Sequence, residues 1–238
     1  MITDDARLAA AVKSDDAFFP TYFVSPYSKH IARWCARHGL TPNVVSCASF
    51  AVGIGAAVAF AVGDRAGLVA GAVLLQASFV LDCVDGQLAR YAGLTSEFGG
   101  WLDSVFDRAK EYLVYAGLAY GSLRVAHDDV WDLAAAALAL QTWRHLMDFS
   151  FAAGTGSRPD AGDGGPAAAV AAMSRRTDER EWLRWPKRIL VLPIGERLLL
   201  ISVTAAVFRP AVTFVALLVW GGVAALYATV GRVLRSVP

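Results

Sequence analysis

The chain has 238 residues, of which 56% are apolar and 18% carry a formal charge. Soluble domains average about 45–50% apolar and about 25% charged residues, so this composition argues against a disordered chain and an average soluble enzyme. The 22 basic and 21 acidic residues give a net charge of +1, which argues against a nucleic-acid partner. The three Cys and four His lack metal-ligand spacing, which argues against zinc fingers and disulfide scaffolds.

Apolar runs separated by charged segments predict an all-α integral membrane protein. Residues 38–63 and 210–231 carry no formal charge, and each run is long enough for a membrane-spanning helix. Four shorter apolar stretches lie between them and adjoin charged residues. Together the runs predict six transmembrane helices, at 42–63, 67–90, 99–123, 129–152, 192–209 and 211–233.

The segment that precedes the first span is amphipathic. Lys29, Arg33 and Arg37 recur every four residues on one face, with apolar residues on another. This pattern predicts an interfacial helix over residues 25–38, with a short soluble helix as the alternative. We expect residues 1–19 to form an N-terminal cytoplasmic tail and residues 20–238 to form one membrane domain. The excess of Lys and Arg before the first span and between the fourth and fifth spans predicts that both termini are cytoplasmic.

Four aspartates adjoin the predicted second and third spans. Asp82 and Asp85 are spaced i,i+3, and Asp103 and Asp107 are spaced i,i+4, so each pair lies on one helical face. Four like charges near a bilayer must be neutralised, by protonation or by two divalent cations such as Mg²⁺ or Mn²⁺. Two such ions commonly stabilise a phosphoryl group in transfer. The structural alternative is a set of intramembrane ion pairs with Arg90, Arg108 and Lys110.

The same stretch carries a longer motif. Its pattern is Asp82-x2-Asp85-Gly86-x2-Ala89-Arg90-x8-Gly99-x3-Asp103-x3-Asp107, and all eight fixed residues resemble the signature of the CDP-alcohol phosphatidyltransferase family. The resemblance implies an enzyme that moves a phosphoalcohol from a CDP-alcohol to an acceptor alcohol and releases CMP. It also implies contact with membrane lipid, an active site at the cytoplasmic face, and a homodimer.

The resemblance further implies roles for individual residues. Asp82, Asp85, Asp103 and Asp107 would bind two Mg²⁺ or Mn²⁺ ions per site, and Asp107 would also be the general base. The CDP-alcohol would contact eight positions, which are Asn43, Val44, Val45, Ser46, Gly86, Ala89, Arg90 and Ser96.

The identity of the two alcohols stays open. The donor is CDP-diacylglycerol or a soluble CDP-alcohol such as CDP-inositol, and the chain resembles the branch of the family that uses inositol phosphate acceptors. Lys110, Arg144 and Arg197 are candidate ligands of an acceptor phosphate. The alternative for the last two is that they form helix-end ion pairs, Arg144 with Asp148 and Arg197 with Glu196, or snorkel to the membrane interface. A cation transporter or channel with intramembrane aspartates is the alternative function, and a noncatalytic scaffold is a third.

Overall fold

A computed structural model describes residues 4–13, 17–155, 185–186 and 189–236, and its regular elements within these ranges are all helical. Helix α1 (Asp4–Ala10) is followed by a π-helical turn (Pro20–Val24) and α2 (Ser25–Arg37). The long helices α3 (Pro42–Val62), α4 (Arg65–Ala92) and α5 (Glu97–Gly121) come next, and α5 continues into a second π-helical turn (Ser122–Ala126). The remaining elements are α6 (Trp131–Thr155), α7 (Ile194–Val207) and α8 (Pro210–Ser236).

The turns around α4 are set by glycine and by short polar side chains. Helix α3 ends at Gly63, whose φ of 82° is in the left-handed region that favours glycine. The Asp64 carboxylate then accepts a hydrogen bond of 2.6 Å from the Gly67 N–H and caps α4. Ser96 Oγ accepts one of 3.0 Å from the Gly99 N–H and caps α5. The end of α4 and the start of α5 are therefore joined by a short turn, which brings their aspartates to one end of the bundle.

Helices α3 and α5 approach until their backbones touch. A Cβ added to Gly117 would lie 2.3 Å from the Ala57 carbonyl oxygen, and one added to Gly121 would lie 2.2 Å from that of Phe60. Only glycine permits such an approach, as at close helix crossings in membranes. This contact fixes α5 against α3, and α3 also packs along α4.

Helix α7 packs against α4, and α8 packs against α6 and α7. Gln76 Nε2 on α4 donates to Ser202 Oγ at 2.8 Å and to the Leu198 carbonyl at 3.1 Å. Thr204 Oγ1 donates to Thr213 Oγ1 across α7 and α8 at 2.9 Å. The fully buried side chains of the shared core include Phe60, Leu75, Leu118, Ile201 and Phe214.

All six predicted spans fall on helices, but only part of the membrane prediction is confirmed. Among the described residues, three helices are long and apolar enough to cross a membrane, at Pro42–Val62, Arg65–Ala92 and Pro210–Val233. Helix α5 carries five charged residues between positions 103 and 111, and the 14 residues of α7 extend about 21 Å against a bilayer core of about 30 Å. The six-span count therefore stays a prediction. The predicted interfacial segment is helical, as α2, and its position at the bilayer surface stays a prediction.

The orientation prediction also stays open. It depends on basic residues between the fourth and fifth predicted spans, and most of that segment lies outside the described residues.

Candidate active site

Three of the four predicted metal ligands converge at the end of α4 and the start of α5. Asp82, Asp85 and Asp103 each contribute a carboxylate oxygen, and these oxygens lie within 4.8 Å of one another. Asp85 is buried, whereas Asp82 and Asp103 are partly exposed. The i,i+3 and i,i+4 spacings thus do place these carboxylates on facing sides of two neighbouring helices.

Asp107 joins this cluster through a lysine. Lys110 Nζ lies 2.6 Å from Asp82 Oδ1 and 3.0 Å from Asp107 Oδ1, and its side chain is only 2% exposed. The lysine stem crosses α3 at Gly53, where an added Cβ would lie 2.7 Å from Lys110 Cγ. Lys110 therefore supplies a positive charge inside the carboxylate cluster, which matches the structural alternative for this residue rather than a free cation.

Helix α3 adds hydroxyl groups to the buried side of the cluster. Ser46 Oγ donates to Asp85 Oδ2 at 2.5 Å. Ser49 Oγ donates to the Ser78 carbonyl at 2.9 Å and lies 3.3 Å from Lys110 Nζ. Ser46 thus binds one oxygen of the Asp85 carboxylate from α3, and Ser49 contacts the Lys110 ammonium.

Two adjoining cavities open onto the cluster. The first, here the α3 cavity, has a volume of about 220 Å³ and is bounded by the start of α3. Six of the eight predicted CDP-alcohol contacts line it, namely Asn43, Ser46, Gly86, Ala89, Arg90 and Ser96. The second, here the α7 cavity, has a volume of about 360 Å³ and reaches the start of α7. Asp82 and Asp107 line the α7 cavity, and Asp85 and Asp103 line both.

Two of the predicted nucleotide contacts point elsewhere. The Val44 side chain is 53% exposed, and Val45 is buried in an apolar cluster with Cys35 and Leu88. A helix turns consecutive residues to different sides, so the four successive positions from Asn43 to Ser46 do not all face one cavity. Only the two polar members, Asn43 and Ser46, reach the cavity.

The donor set of the cluster suits a divalent cation. Four carboxylates and one ammonium leave a formal charge of −3, which would be strongly unfavourable in this partly buried place without a counter-ion. Carboxylate oxygens are the hard ligands that Mg²⁺ and Mn²⁺ prefer.

Comparison with known proteins identifies the family. The family model described as CDP-alcohol phosphatidyltransferase matches residues 39–176, a range that includes the whole aspartate motif. The chain belongs to this family. This membership favours the phosphotransferase over the cation transporter that the intramembrane aspartates alone left open.

Several similar proteins carry names from the inositol phosphate branch. An archaetidylinositol phosphate synthase of Pyrococcus horikoshii is 36% identical over 95 residues, which are 40% of this chain and 49% of the relative. A phosphatidylinositol phosphate synthase of Mycolicibacterium smegmatis is 37% identical over 94 residues, or 39% and 41% of the two chains. The matched region thus spans about half the length of these relatives.

Solved structures of one such protein also match this chain. The Mycobacterium tuberculosis phosphatidylinositol phosphate synthase with CDP-DAG bound matches with a TM-score of 0.48 and 24% identity, covering 82% of this chain and 92% of that one. Its complex with manganese and citrate matches with a TM-score of 0.48 and 23% identity, over 80% and 88% of the two chains.

In this member of the family, the two candidate acceptor arginines are bound to protein groups. Arg197 forms a two-point ion pair with Glu111, with Nε–Oε1 at 2.5 Å and Nη2–Oε2 at 3.1 Å. Arg144 Nη2 donates to the Val191 carbonyl at 2.6 Å, and its Nη1 donates to Gln141 Oε1 at 3.2 Å. Binding of an acceptor phosphate by these arginines, or by Lys110, stays a prediction that requires each to leave its present partner.

The helix-end pairs expected as the alternative have different partners here. Asp148 pairs with Arg232 on α8, and Glu196 Oε1 accepts a hydrogen bond of 3.0 Å from the Phe19 N–H. The pairing of Glu196 with Arg197 and of Arg144 with Asp148 is not seen among the described residues, because both arginines turn toward the interior of the bundle. Their acceptors there are Glu111 for Arg197, and Gln141 and the Val191 carbonyl for Arg144.

Sequence reasoning missed three residues that shape the site. Glu111 continues the i,i+4 row of Asp103 and Asp107, so its spacing was a usable signal. Gly53, which makes room for Lys110, lies in a run of small residues with no distinguishing pattern. Lys13 lines both cavities from the N-terminal segment, and a single lysine in a polar stretch gives no signal at all.

Proposed function

We propose that this chain is an integral membrane phosphotransferase that moves a phosphoalcohol from a CDP-alcohol to an acceptor alcohol and releases CMP. One observation carries the proposal, namely that the motif carboxylates meet where two separate cavities adjoin. Two substrates can then reach one reacting phosphorus atom from different sides, which a direct transfer requires.

The α3 cavity is the proposed site of the CDP moiety. Gly86 and Ala89 present little side chain there, and an added Cβ on Gly86 would lie 3.3 Å from Arg90 Nη1. Small residues on this face allow a flat base or a diphosphate to approach the helix backbone. The Arg90 guanidinium offers a planar set of donors that suits a diphosphate.

The α7 cavity is the proposed site of the acceptor. Asp107 lines it, and its carboxylate is the proposed base that takes the proton of the attacking hydroxyl. Asp82, Asp85, Asp103 and Asp107 would hold two Mg²⁺ or Mn²⁺ ions. When bound, such ions neutralise the diphosphate and stabilise the departing CMP.

The proposed substrates follow the relatives. Relatives named as archaetidylinositol phosphate and phosphatidylinositol phosphate synthases support an inositol phosphate acceptor, and the bound CDP-DAG of one solved structure supports a CDP-diacylglycerol donor over CDP-inositol. A relative named bifunctional IPC transferase and DIPP synthase, from Thermococcus kodakarensis, is 35% identical over 92 residues that form 20% of its length. That likeness keeps CDP-inositol as the second donor to test.

The membrane arrangement is proposed as a whole. Six spans, the interfacial helix over residues 25–38 and both termini on the cytoplasmic side would place the cavities at the cytoplasmic face of one domain over residues 20–238. There a lipid and a soluble substrate can meet. A homodimer is proposed from the family resemblance.

The decisive experiment follows CMP release by the purified protein with Mg²⁺. CDP-diacylglycerol or CDP-inositol is supplied, and inositol phosphate, free inositol and glycerol phosphate are each added as acceptor. We expect release with CDP-diacylglycerol and inositol phosphate, and loss of release when the divalent ion is chelated. A folded protein that releases no CMP with any pair would contradict the proposed reaction, and release with another pair would correct its substrates.

A further inference from the structure

The N-terminal segment over residues 4–13, here the N-terminal arm, is docked on the end of α4. The Tyr91 hydroxyl donates to Asp4 Oδ1 at 2.5 Å, and Arg33 and Arg37 on α2 lie 3.5 Å and 3.7 Å from the other oxygen. The hydrogen bond from Tyr91, aided by the two guanidinium groups, lowers the pKa of Asp4, so the carboxylate stays charged at neutral pH. Arg7 Nη2 donates to the Tyr91 carbonyl at 3.2 Å and fixes the arm a second time.

The arm is also bound to the motif arginine. Arg90 Nε donates a hydrogen bond of 2.6 Å to the Ala11 carbonyl. Leu8 and Ala11 are 3% and 1% exposed, so the arm packs against the protein and does not merely touch it. Two residues after Ala11 the chain reaches Lys13, which lines both the α3 and the α7 cavity.

Lys13 is one of the few cations that line the two cavities. Within the part of the chain that the structure describes, Lys13 and Arg90 are the two cations that line both cavities, together with Asp85, Gly86 and Asp103. No carboxylate among the described residues lies within ion-pair distance of the Lys13 ammonium. Lys110 is sealed within the aspartate cluster and lines neither cavity. A substrate phosphate at the junction therefore meets Arg90 on one helix and Lys13 on the arm.

We propose that Lys13 is a further substrate-binding residue, which contacts phosphate oxygens at the junction of the two cavities and is positioned there by the arm. The inference rests on the proposed function, because that function places phosphates at this junction. The diphosphate of the donor and the phosphate of the acceptor share this chemistry. The experiment separates them.

The test compares Lys13→Gln and Lys13→Arg with Lys29→Gln, a matched loss of charge on α2 that lines neither cavity. Equilibrium binding of CDP-diacylglycerol with Mg²⁺ is measured in detergent, and the KM of inositol phosphate is measured by CMP release. We expect Lys13→Gln to weaken donor binding about tenfold, the loss of one charge-assisted contact, and Lys13→Arg to restore most of it. Lys29→Gln should bind as the wild type does.

Each outcome decides between the alternatives. A raised KM for inositol phosphate with unchanged donor binding would support Lys13 as the contact of the acceptor phosphate. If Lys13→Gln changes neither quantity in a protein whose thermal midpoint is unaltered, the inference is overturned. Failure of the wild type itself to bind CDP-diacylglycerol would instead contradict the proposed function.

Tyr91→Phe tests the arm separately. This variant removes the hydroxyl that binds Asp4 and leaves the ring in place. We expect a smaller loss of the same kind as in Lys13→Gln. Tyr91→Phe is therefore made both in the wild type and in Lys13→Gln. A loss of donor binding in the wild type alone would show that the arm acts through Lys13. Equal losses in the two proteins would contradict that role of the arm.

Discussion

Helix α5 carries two acidic sites on successive turns of one face, and they differ in charge balance. One has an excess of negative charge, and the other is a neutral ion pair. Asp103 and Asp107 join a cluster in which four carboxylates share one ammonium, and the cluster lines two cavities. Glu111, the next residue in the same i,i+4 row, is 1% exposed and pairs one-to-one with Arg197. The Tyr115 hydroxyl donates a further bond of 2.9 Å to Glu111.

The difference shows that charge balance, rather than spacing, separates a binding site from a structural pair. A buried carboxylate whose charge and lone pairs are satisfied by the protein has little left to offer a ligand. A cluster with a formal charge of −3 is electrostatically unfavourable unless cations bind to it, and the open cavities give cations access to the carboxylates. The same row of acidic residues therefore produces a candidate active site at one end and a helix–helix pair at the other.

The largest expected effect is that of Asp107→Asn. The amide keeps the shape of the side chain but cannot take the proton of the acceptor hydroxyl. We therefore expect turnover to fall about 10³-fold, with CDP-alcohol binding retained. CMP release and equilibrium binding measure the two quantities.

Asp132→Asn is the matched control, because the same chemical change is made at an exposed position at the start of α6. It should leave both quantities near the wild-type values. Loss of fold or of donor binding in Asp107→Asn would contradict the assignment of Asp107 as the base.

Removal of one charge from the Glu111–Arg197 pair should lower the free energy of unfolding. Glu111→Gln leaves the Arg197 guanidinium buried without its counter-charge, which typically costs about 3–5 kcal/mol of unfolding free energy. Denaturant titration in detergent measures this loss. The double variant Glu111→Gln/Arg197→Met removes both charges and should recover more than half of the loss. A single variant as stable as the wild type would show that the pair is not structural.

Much of the fold could be predicted from the sequence because apolar runs and breaker residues report directly on helix bounds. The prediction of 42–63 became Pro42–Val62, since the proline starts the helix and Gly63 ends it. The prediction of 192–209 became the shorter Ile194–Val207. Whether α5, α6 and α7 cross a membrane cannot be decided from hydropathy, because charged residues inside a bundle and in lipid look alike in a sequence.

Only the part of the candidate site that lies within one short segment of the chain could be predicted from the sequence. The turn between α4 and α5 joins all four aspartates within 26 residues, so local spacing was enough to bring them together. Lys13 reaches the two cavities, and Arg197 reaches its partner, through long-range packing that no local pattern encodes. The partner of Arg197 proved to be Glu111, 86 residues away along the chain.

Gly53→Ala should disturb the one ammonium that lies within the aspartate cluster. The added Cβ would lie 2.7 Å from Lys110 Cγ and 2.8 Å from Cδ, near the base of the lysine stem. Overpacking of this kind costs about 1–3 kcal/mol, and the displaced lysine should also alter Mg²⁺ affinity. Gly55→Ala is the control on the same helix, because its Cβ would meet Leu74 Cδ1 at 3.9 Å, an ordinary contact. Equal unfolding free energies for the two variants would refute a close fit of Lys110 against α3.

Asp103→Asn should have the smallest effect of these variants, and it should increase stability in the absence of divalent ions. Asp103→Asn removes one of four like charges, so in the presence of a chelator the variant should be about 1 kcal/mol more stable than the wild type. Addition of Mg²⁺ stabilises a protein by an amount that grows with its affinity for the ion, and the wild type should therefore gain more than the variant. The thermal midpoint of the variant should therefore be the higher of the two with chelator, and that of the wild type should be the higher with Mg²⁺. If Asp103→Asn is the less stable protein under both conditions, its carboxylate is held by the protein as Glu111 is, and the contrast between the two ends of the acidic row disappears.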